Sequence, residues 1–332
     1  MQKVDVSVIV PVYNEEASVG PLVVRLIPVL EQITEEYEII FVNDGSRDAT
    51  LHQIHKLAQA NPRIAYIDFS RNFGHQVALT AGLDHASGKS VVIIDADLQD
   101  PPELIPLMHA KLTAENFEVV YARRRRRQGE TLFKRLTARL FYRLLNRWAS
   151  IDIPLDTGDF RIMNHKVVEV LRQMPEKHKF IRGQISWIGF RQSYVEYDRD
   201  PRFAGETKYP FNKMLKLAMD GITGFSTVPL RIVTWMGFLS SLFAFLLILW
   251  VLVVKIFGEQ LGQEVLLGWA SQMIVTLFIG GIQLIGIGIL GEYIGRITDN
   301  IRDRPLYIIR ERSLSLRDQR PVHGAIPAED PS

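Results

Sequence analysis

The chain has no cysteine in 332 residues. That excludes a disulfide framework and any thiolate metal centre. It also has little net charge: 39 Lys and Arg against 37 Asp and Glu leave +2. Bulk charge therefore names no partner, and electrostatic preference has to come from local clusters. There is no Gly-rich Walker or dinucleotide-binding fingerprint, so phosphates are not expected on a loop of that type. The opening residues, MQKVDVSVIV, run straight into a strand pattern and do not read as a signal peptide. No uncharged run long enough to span a bilayer occurs before residue 230.

What the sequence has is rhythm. Val6–Val10, Glu38–Val42, Ile64–Phe69, Val91–Ile94 and Val119–Ala122 read as strands. The segments near 15–33, 47–60, 74–87, 102–115 and 164–173 read as helices, and Tyr194–Asp198 as a short edge strand. Strand and helix in alternation predict an α/β fold, a mainly parallel sheet covered on both faces. The polar residues collect where strands end: Pro11-Val12-Tyr13-Asn14-Glu15, Asn43-Asp44-Gly45-Ser46, Ser70-Arg71-Asn72-Phe73-Gly74, and Asp95-Ala96-Asp97-Leu98-Gln99-Asp100. Open α/β sheets bind ligands at that edge. Tyr13 is placed to lie against a base and Asp44 to accept an N–H from it. Asp95 and Asp97 point to one side if the strand stays extended. Two such carboxylates repel unless a cation lies between them, and oxygen ligands select Mg²⁺ or Mn²⁺. Each loop alone is ordinary turn or capping chemistry. Their repetition at one edge makes the functional case.

Next comes a basic block, Arg123 to Arg127. Over Thr131–Ser150 a helix is predicted, with Arg135, Arg139, Arg143 and Arg147 on one stripe and Leu132, Leu136, Leu140, Leu144 and Trp148 beside it. Such a helix suits the plane of an anionic membrane surface; packing on the domain, or nucleic acid, are the other uses of that pattern. Thr157-Gly158-Asp159-Phe160-Arg161 places an acid in an expected turn before the helix at 164–173. A polar loop from Arg199 to Tyr209 carries Arg202 and Lys208, and Phe211–Phe225 is a further amphipathic segment.

At Leu230 the character changes. Ile232–Val254 and Val265–Leu290 carry no charge and are long enough to span a bilayer, joined by the polar stretch Lys255–Glu264. Glycines at 280, 281, 286, 288 and 291 would permit close helix packing, and make self-association into a homo-oligomer plausible. Cations flank the pair on the outside: Lys208, Lys213, Lys216 and Arg231 before it, and Arg296, Arg302, Arg304, Arg310 and Arg312 after it. Only Lys255 lies in the connection. The positive-inside rule puts the N-terminal domain and both termini in the cytoplasm, at the inner membrane. The expected organisation is a domain over 1–210, a juxtamembrane helix over 211–228, a two-helix hairpin over 229–294 and a tail over 295–332, disordered beyond about 313.

As a set, PVYNEE (11–16), VNDGSRDAT (42–50), SRNFGHQVALTAG (70–82), DADLQDPPE (95–103), TGDFR (157–161) and RFAGETKY (202–209) resemble the polyisoprenyl-phosphate glycosyltransferases of glycosyltransferase family 2. The resemblance covers about residues 4–310. It is closest to the bacterial undecaprenyl-phosphate glucosyltransferase type, with dolichyl-phosphate mannose synthase more distant. It implies a GT-A fold and inverting transfer of one sugar from a nucleotide-sugar to a lipid phosphate. Glucose and a UDP donor are implied; mannose from GDP-mannose, an N-acetylhexosamine or a modified pentose are the other sugars the residues allow. By the same resemblance, Pro11, Tyr13, Glu15 and Asp44 would hold the nucleoside. Asp95, Ala96 and Gln99 would line the donor site, with Asp95, Asp97 and Gln99 on the metal. Arg202 and Lys208 would neutralise phosphate charge, although Glu206 stands where the family often has Ser or Gln. Arg123, Arg127, Arg135 and Arg139 would meet the lipid phosphate. Asp159 would be the catalytic acid residue, with Asp97 beside it.

Three rivals fare worse. A processive polysaccharide synthase needs Gln-x-x-Arg-Trp, and here Leu144 precedes Arg147-Trp148 in the place of that glutamine. A non-catalytic membrane scaffold would not need the Asp95/Asp97/Gln99 set. A nucleic-acid binder leaves the two apolar spans unexplained.

Overall fold

The computed structural model describes residues 4–125, 157–198, 226–261 and 269–313. The expected helix at 131–150, the loop at 199–209, Phe211–Phe225 and the tail beyond 313 lie outside these residues. So do Arg127, Arg135, Arg139, Arg202 and Lys208. The chain divides into two units. One gathers residues 1–146, 151–221 and 303–332; the other holds 147–150 and 222–302.

The first unit is built on an eight-stranded sheet among the described residues. Its strands are β1 (Val6–Val12), β2 (Tyr37–Asn43), β3 (Ile64–Phe69), β4 (Ser90–Ile93), β5 (Val119–Arg124), β6 (Thr157–Asn164), β7 (Gln192–Tyr197) and β8 (Ile309–Arg312). They lie in the order β7-β5-β6-β4-β1-β2-β3-β8. β1 pairs parallel with both β2 and β4, β2 with β3, and β5 with β7. The predicted mainly parallel sheet is therefore present. From β1 the chain steps out to β2 and β3, then returns to β4 on the other side. Strand order reverses between β1 and β4, and a crevice opens at the carboxyl ends of such a pair.

The helices are α1 (Val19–Glu31), α2 (Thr50–Ala60), α3 (His75–His85), α4 (Ile105–Ala114), α5 (His165–Arg172) and α6 (Ile181–Ile188). A 3₁₀ turn, Pro102–Leu104, leads into α4, as the Pro101-Pro102 pair predicts. The sheet's two faces carry separate cores. Val8, Val10, Phe41 and Val92 pack with Leu22 and Leu26 of α1 and Met108 of α4. Ile9, Ile40, Ile67 and Val91 pack with Leu79 of α3, Val168 of α5 and Ile185 of α6. Burial on both faces is why β1 and β2 read as unbroken apolar runs.

Four readings change. α6 (Ile181–Ile188) forms where no helix was expected. Thr157–Arg161, expected as a turn, is the first half of β6, antiparallel to both β4 and β5. The buried charges Asp159 and Arg161 hid its alternation. β7 runs two residues earlier than expected at its start and lies at the sheet edge. β8, which no residue pattern announces, closes the other edge by pairing antiparallel with β3. It is preceded by Tyr307, fully buried, stacked on Phe69 at 5.2 Å and donating to Asp84 Oδ2 at 3.0 Å.

α3 needs a small residue where it crosses the sheet. A Cβ on Gly82 would stand 2.2 Å from Ile9 Cγ2. Gly82→Ala should therefore destabilise the domain by about 1–3 kcal/mol, read as a lowered Tm. His85 ends the same helix. Burial pulls its pKa below the ordinary value of 6.5, against its bond to the Ala81 carbonyl. The unfolded chain then binds the extra proton, so this contribution is full above pH 6.5 and fades as pH falls below it. In thermal scans from pH 7.5 to 5.5, roughly the titration range of histidine, His85→Gln should show a shallower loss of Tm than the wild type.

The second unit contains α7 (Val228–Leu261) and α8 (Trp269–Ile301). Val228–Leu247 and Val275–Ile301 are long and apolar enough to cross a membrane. Trp235, Phe238, Leu277 and Leu284 are exposed on them. α7 continues through Lys255–Leu261, so the expected polar connection is partly helical. Among the described residues, of the five glycines expected to allow close packing Gly286 alone abuts the other helix: its Cβ would lie 2.9 Å from Val233. The Tyr293 hydroxyl donates to the Ser226 carbonyl at 2.6 Å.

Candidate active site

The loops at the carboxyl edge are stitched to one another. After β1, the Asn14 N–H donates to Ser46 Oγ (2.9 Å) and the Arg47 N–H to Asn14 Oδ1 (2.8 Å). The Glu15 N–H donates to Thr50 Oγ1 at 2.9 Å, and the Glu15 carboxylate accepts from Ser18 Oγ at 2.8 Å. After β2, Asp44 joins the next loop: its Oδ1 accepts the Phe73 N–H at 2.6 Å and its Oδ2 the Gly74 N–H at 3.0 Å. Burial pushes the Asp44 carboxyl up while these two N–H groups pull it down. A carboxylate has roughly four acceptor positions, so the bonds fix the group without exhausting it. Gly45 turns beside it with φ +67°, where a Cβ would sit 2.6 Å from the Arg71 carbonyl carbon. Pro11 is buried within β1, and Tyr13 follows, half-buried.

β4 ends at Ile93, and the chain turns at Ala96 and Asp97. The extended backbone does not persist, so Asp95 and Asp97 are not a simple same-face pair. The Asp95 side chain is part-exposed; Ala96 and Asp97 are buried. Asp97 Oδ1 accepts the Gln99 N–H at 3.2 Å, closing the turn. Leu98 takes φ 60° to complete it. Asp100 is fully buried. It accepts a hydrogen bond from the Tyr197 hydroxyl of β7 and lies 4.0 Å from Arg124 Nη2 of β5. The acidic loop is thereby latched to two strands.

Asp159 stands at the centre of a second cluster. Its Oδ2 is 3.0 Å from His75 Nε2, at the start of α3. Its Oδ1 accepts from Arg182 Nε of α6 at 2.8 Å and lies 3.6 Å from Arg161 Nη2. Arg161 is two residues further along β6, on the same side of the sheet, and donates to the carbonyls of Gly158 and Asp159. Burial alone would raise the Asp159 pKa; Arg182 and His75 hold it well below the usual carboxylate range. Burial would lower His75, but the bond to Asp159 and the charges of Asp95 and Asp159 lift it to about 9. His75 Nε2 is also 3.8 Å from Asp95 Oδ1. Burial lifts Asp95 to about 6, opposed by His75 and aided by Asp159, Asp100 and Asp97.

The expected arginines divide. Arg123 lies over the Tyr194 ring, 4.7 Å from its centroid, and 3.9 Å from Glu196. Arg124, on the opposite side of the strand, reaches Asp100 and Gly158. His75, Arg182 and Arg161 belong to the Asp159 cluster and Tyr197 to the latch on Asp100, yet the sequence pattern marks none of them individually. His75 had a signal, since it directly follows the polar loop after β3. Arg182 had none: it stands in the first turn of α6, a helix that the sequence pattern did not announce.

With this geometry in hand, the comparisons are specific. The family model described as "Glycosyl transferase family 2" matches residues 7–172. An "Uncharacterized glycosyltransferase YkcC" of Bacillus subtilis is 51% identical over 314 residues, 95% of each chain. The "Bactoprenol glucosyl transferase" of Shigella phage SfII is 42% identical over 308 residues, 92% of this chain and 97% of that one. Mannosyl-3-phosphoglycerate synthase from Rubrobacter xylanophilus aligns at a TM-score of 0.47 and 18% identity, covering 65% of this chain and 71% of that one. The chain belongs to glycosyl transferase family 2. Its sheet and helices are the GT-A arrangement of that family, and it is a transferase. The two apolar helices together with these relatives point to association with a membrane.

Asp159→Asn leaves the buried Arg161 without its full counter-charge. It should cost about 3–5 kcal/mol, read as a drop in Tm at pH 7 that accompanies any loss of activity.

Proposed function

We propose that the protein transfers one glucose from UDP-glucose to the phosphate of a polyprenyl lipid, with inversion, at the cytoplasmic face of a membrane. The observation that carries the reading is the 42% identity, over nearly the full length of both chains, with a protein named bactoprenol glucosyl transferase. The outer cations flanking the two spans support the cytoplasmic placement. Pro11, Tyr13, Glu15 and Asp44, at the carboxyl ends of β1 and β2, would hold the nucleoside, and Ala96 and Gln99 would line the diphosphate. Arg202 and Lys208 would contribute positive charge to the leaving diphosphate.

A divalent cation fits the acidic loop. Asp95 is held near 6 by burial and by its acidic neighbours Asp159, Asp100 and Asp97, a cost that a hard cation offsets. Among the described residues no three His, Asp or Glu converge as a complete ligand set. Asp95 and Asp97, with Gln99, would therefore share Mg²⁺ or Mn²⁺ with the donor phosphates, the usual arrangement for Mg²⁺. When bound, the cation stabilises charge on the departing nucleotide.

The acceptor needs little activation. A phosphate monoester has its second pKa near about 6, so it is mostly dianionic in the cytoplasm and already nucleophilic. Asp159 is ionised but held by three cations, His75, Arg161 and Arg182, which suits orientation rather than proton removal. Arg123, Arg127, Arg135 and Arg139 would draw the lipid headgroup toward the site, and Arg124 extends that run inward.

Full-length protein incubated with undecaprenyl phosphate and a panel of nucleotide sugars should add one hexose, from UDP-glucose, by mass analysis of the lipid. EDTA should abolish the product and Mg²⁺ or Mn²⁺ restore it. Asp97→Ala should lower the rate by about 100-fold or more. Asp159→Asn should remain defective at high pH; recovery there would make Asp159 a base.

A further inference from the structure

Arg182 has no part in the reading above, yet it sits at the end of a row of charges. Asp95 faces His75 Nε2 at 3.8 Å, His75 faces Asp159 Oδ2 at 3.0 Å, and Asp159 Oδ1 accepts from Arg182 Nε at 2.8 Å. The row begins at the acid assigned to the metal and donor. It ends at a guanidinium carried by a different helix.

Two guanidiniums share Asp159, and they differ in access. The Arg161 side chain is 5% exposed and bound to two carbonyls; that of Arg182 is 26% exposed. Arg124 approaches from the other side. Its Nη2 lies 3.0 Å from where a Gly158 Cβ would stand, and its side chain is 23% exposed. Arg124 and Arg182 interact through their like charges. Two part-exposed guanidiniums therefore flank residues 158 and 159. Each is held by a carboxylate, Arg124 beside Asp100 and Arg182 on Asp159, while part of its side chain stays exposed. The planar fork of a guanidinium matches phosphate oxygens.

We propose that Arg182 binds the phosphoryl group of the acceptor lipid, and that Asp159 and His75 are positioning residues that hold its guanidinium in place. The inference rests on the polyprenyl-phosphate reading. The chemistry recognised is a phosphoryl group, which either substrate carries. Arg182 is assigned to the acceptor because the donor diphosphate belongs with Asp95 and Asp97, at the opposite end of the row.

The test uses full-length protein in detergent with Mg²⁺, UDP-glucose and farnesyl phosphate as a soluble acceptor. Arg182→Gln should raise the KM for farnesyl phosphate by about tenfold or more, with the Kd for UDP unchanged within about twofold. Should that variant not fold, Arg182→Lys, which keeps the charge but loses the fork, should raise the same KM by about threefold or more. A merely structural role would lower Tm or kcat and leave the acceptor KM where it was. An unmoved acceptor KM, or a UDP Kd weakened as much as the acceptor KM, overturns the assignment. Wild-type protein that binds UDP but glycosylates neither farnesyl phosphate nor undecaprenyl phosphate overturns the underlying reading, and this inference with it.

Discussion

The Asp159 carboxylate is the charge on which the carboxyl edge depends. It is 5% exposed and lies beside Arg161, 4% exposed. Neither charge is tolerable alone at that depth. Together they justify each other, and His75 and Arg182 complete the balance from α3 and α6. One side chain thus ties β6 to two helices that are far apart in sequence. The arrangement also decides the protonation state: the acid stays ionised and the imidazole stays charged. A carboxylate so committed orients its neighbours more readily than it takes a proton from them.

The second constraint is the latch on the acidic loop. Asp100, fully buried between Tyr197 and Arg124, pins the far end of the turn that carries Asp95 and Asp97. Arg124 therefore faces two ways, toward Asp100 and toward the backbone beside Asp159. Acids on the β4 side and cations on the β5, β6 and α6 side form two poles within one edge. Such a division suits a reaction with two phosphorylated partners, one bound through a metal and the other through guanidinium groups.

Much of this was legible in the order of residues. The strand–helix rhythm was strong because β1, β2 and β4 are apolar on both faces, and the polar loops announced the edge by repeating after each strand. Asp159 was found through its motif, but its setting was not. β6 was mistaken for a turn because two inward-facing charges, Asp159 and Arg161, broke the alternation that marks a strand. Arg182 was silent for a different reason: its partner is 23 residues away, and a pair of that kind exists only once the sheet has formed. The arginine run is a third case. Strand geometry sends Arg123 and Arg124 to opposite sides, and composition alone cannot say which one turns inward.

β8 has a consequence for the order of assembly. A ribosome makes β1 to β7 first, then both apolar helices, and only afterwards the strand that covers β3. Until Ile309–Arg312 emerges, the nascent sheet has an unpaired margin, and Phe69 and Asp84 lack the ring and hydroxyl of Tyr307. The catalytic domain is thus the first part to be translated and the last to be finished, because its closing strand follows both apolar helices in the chain.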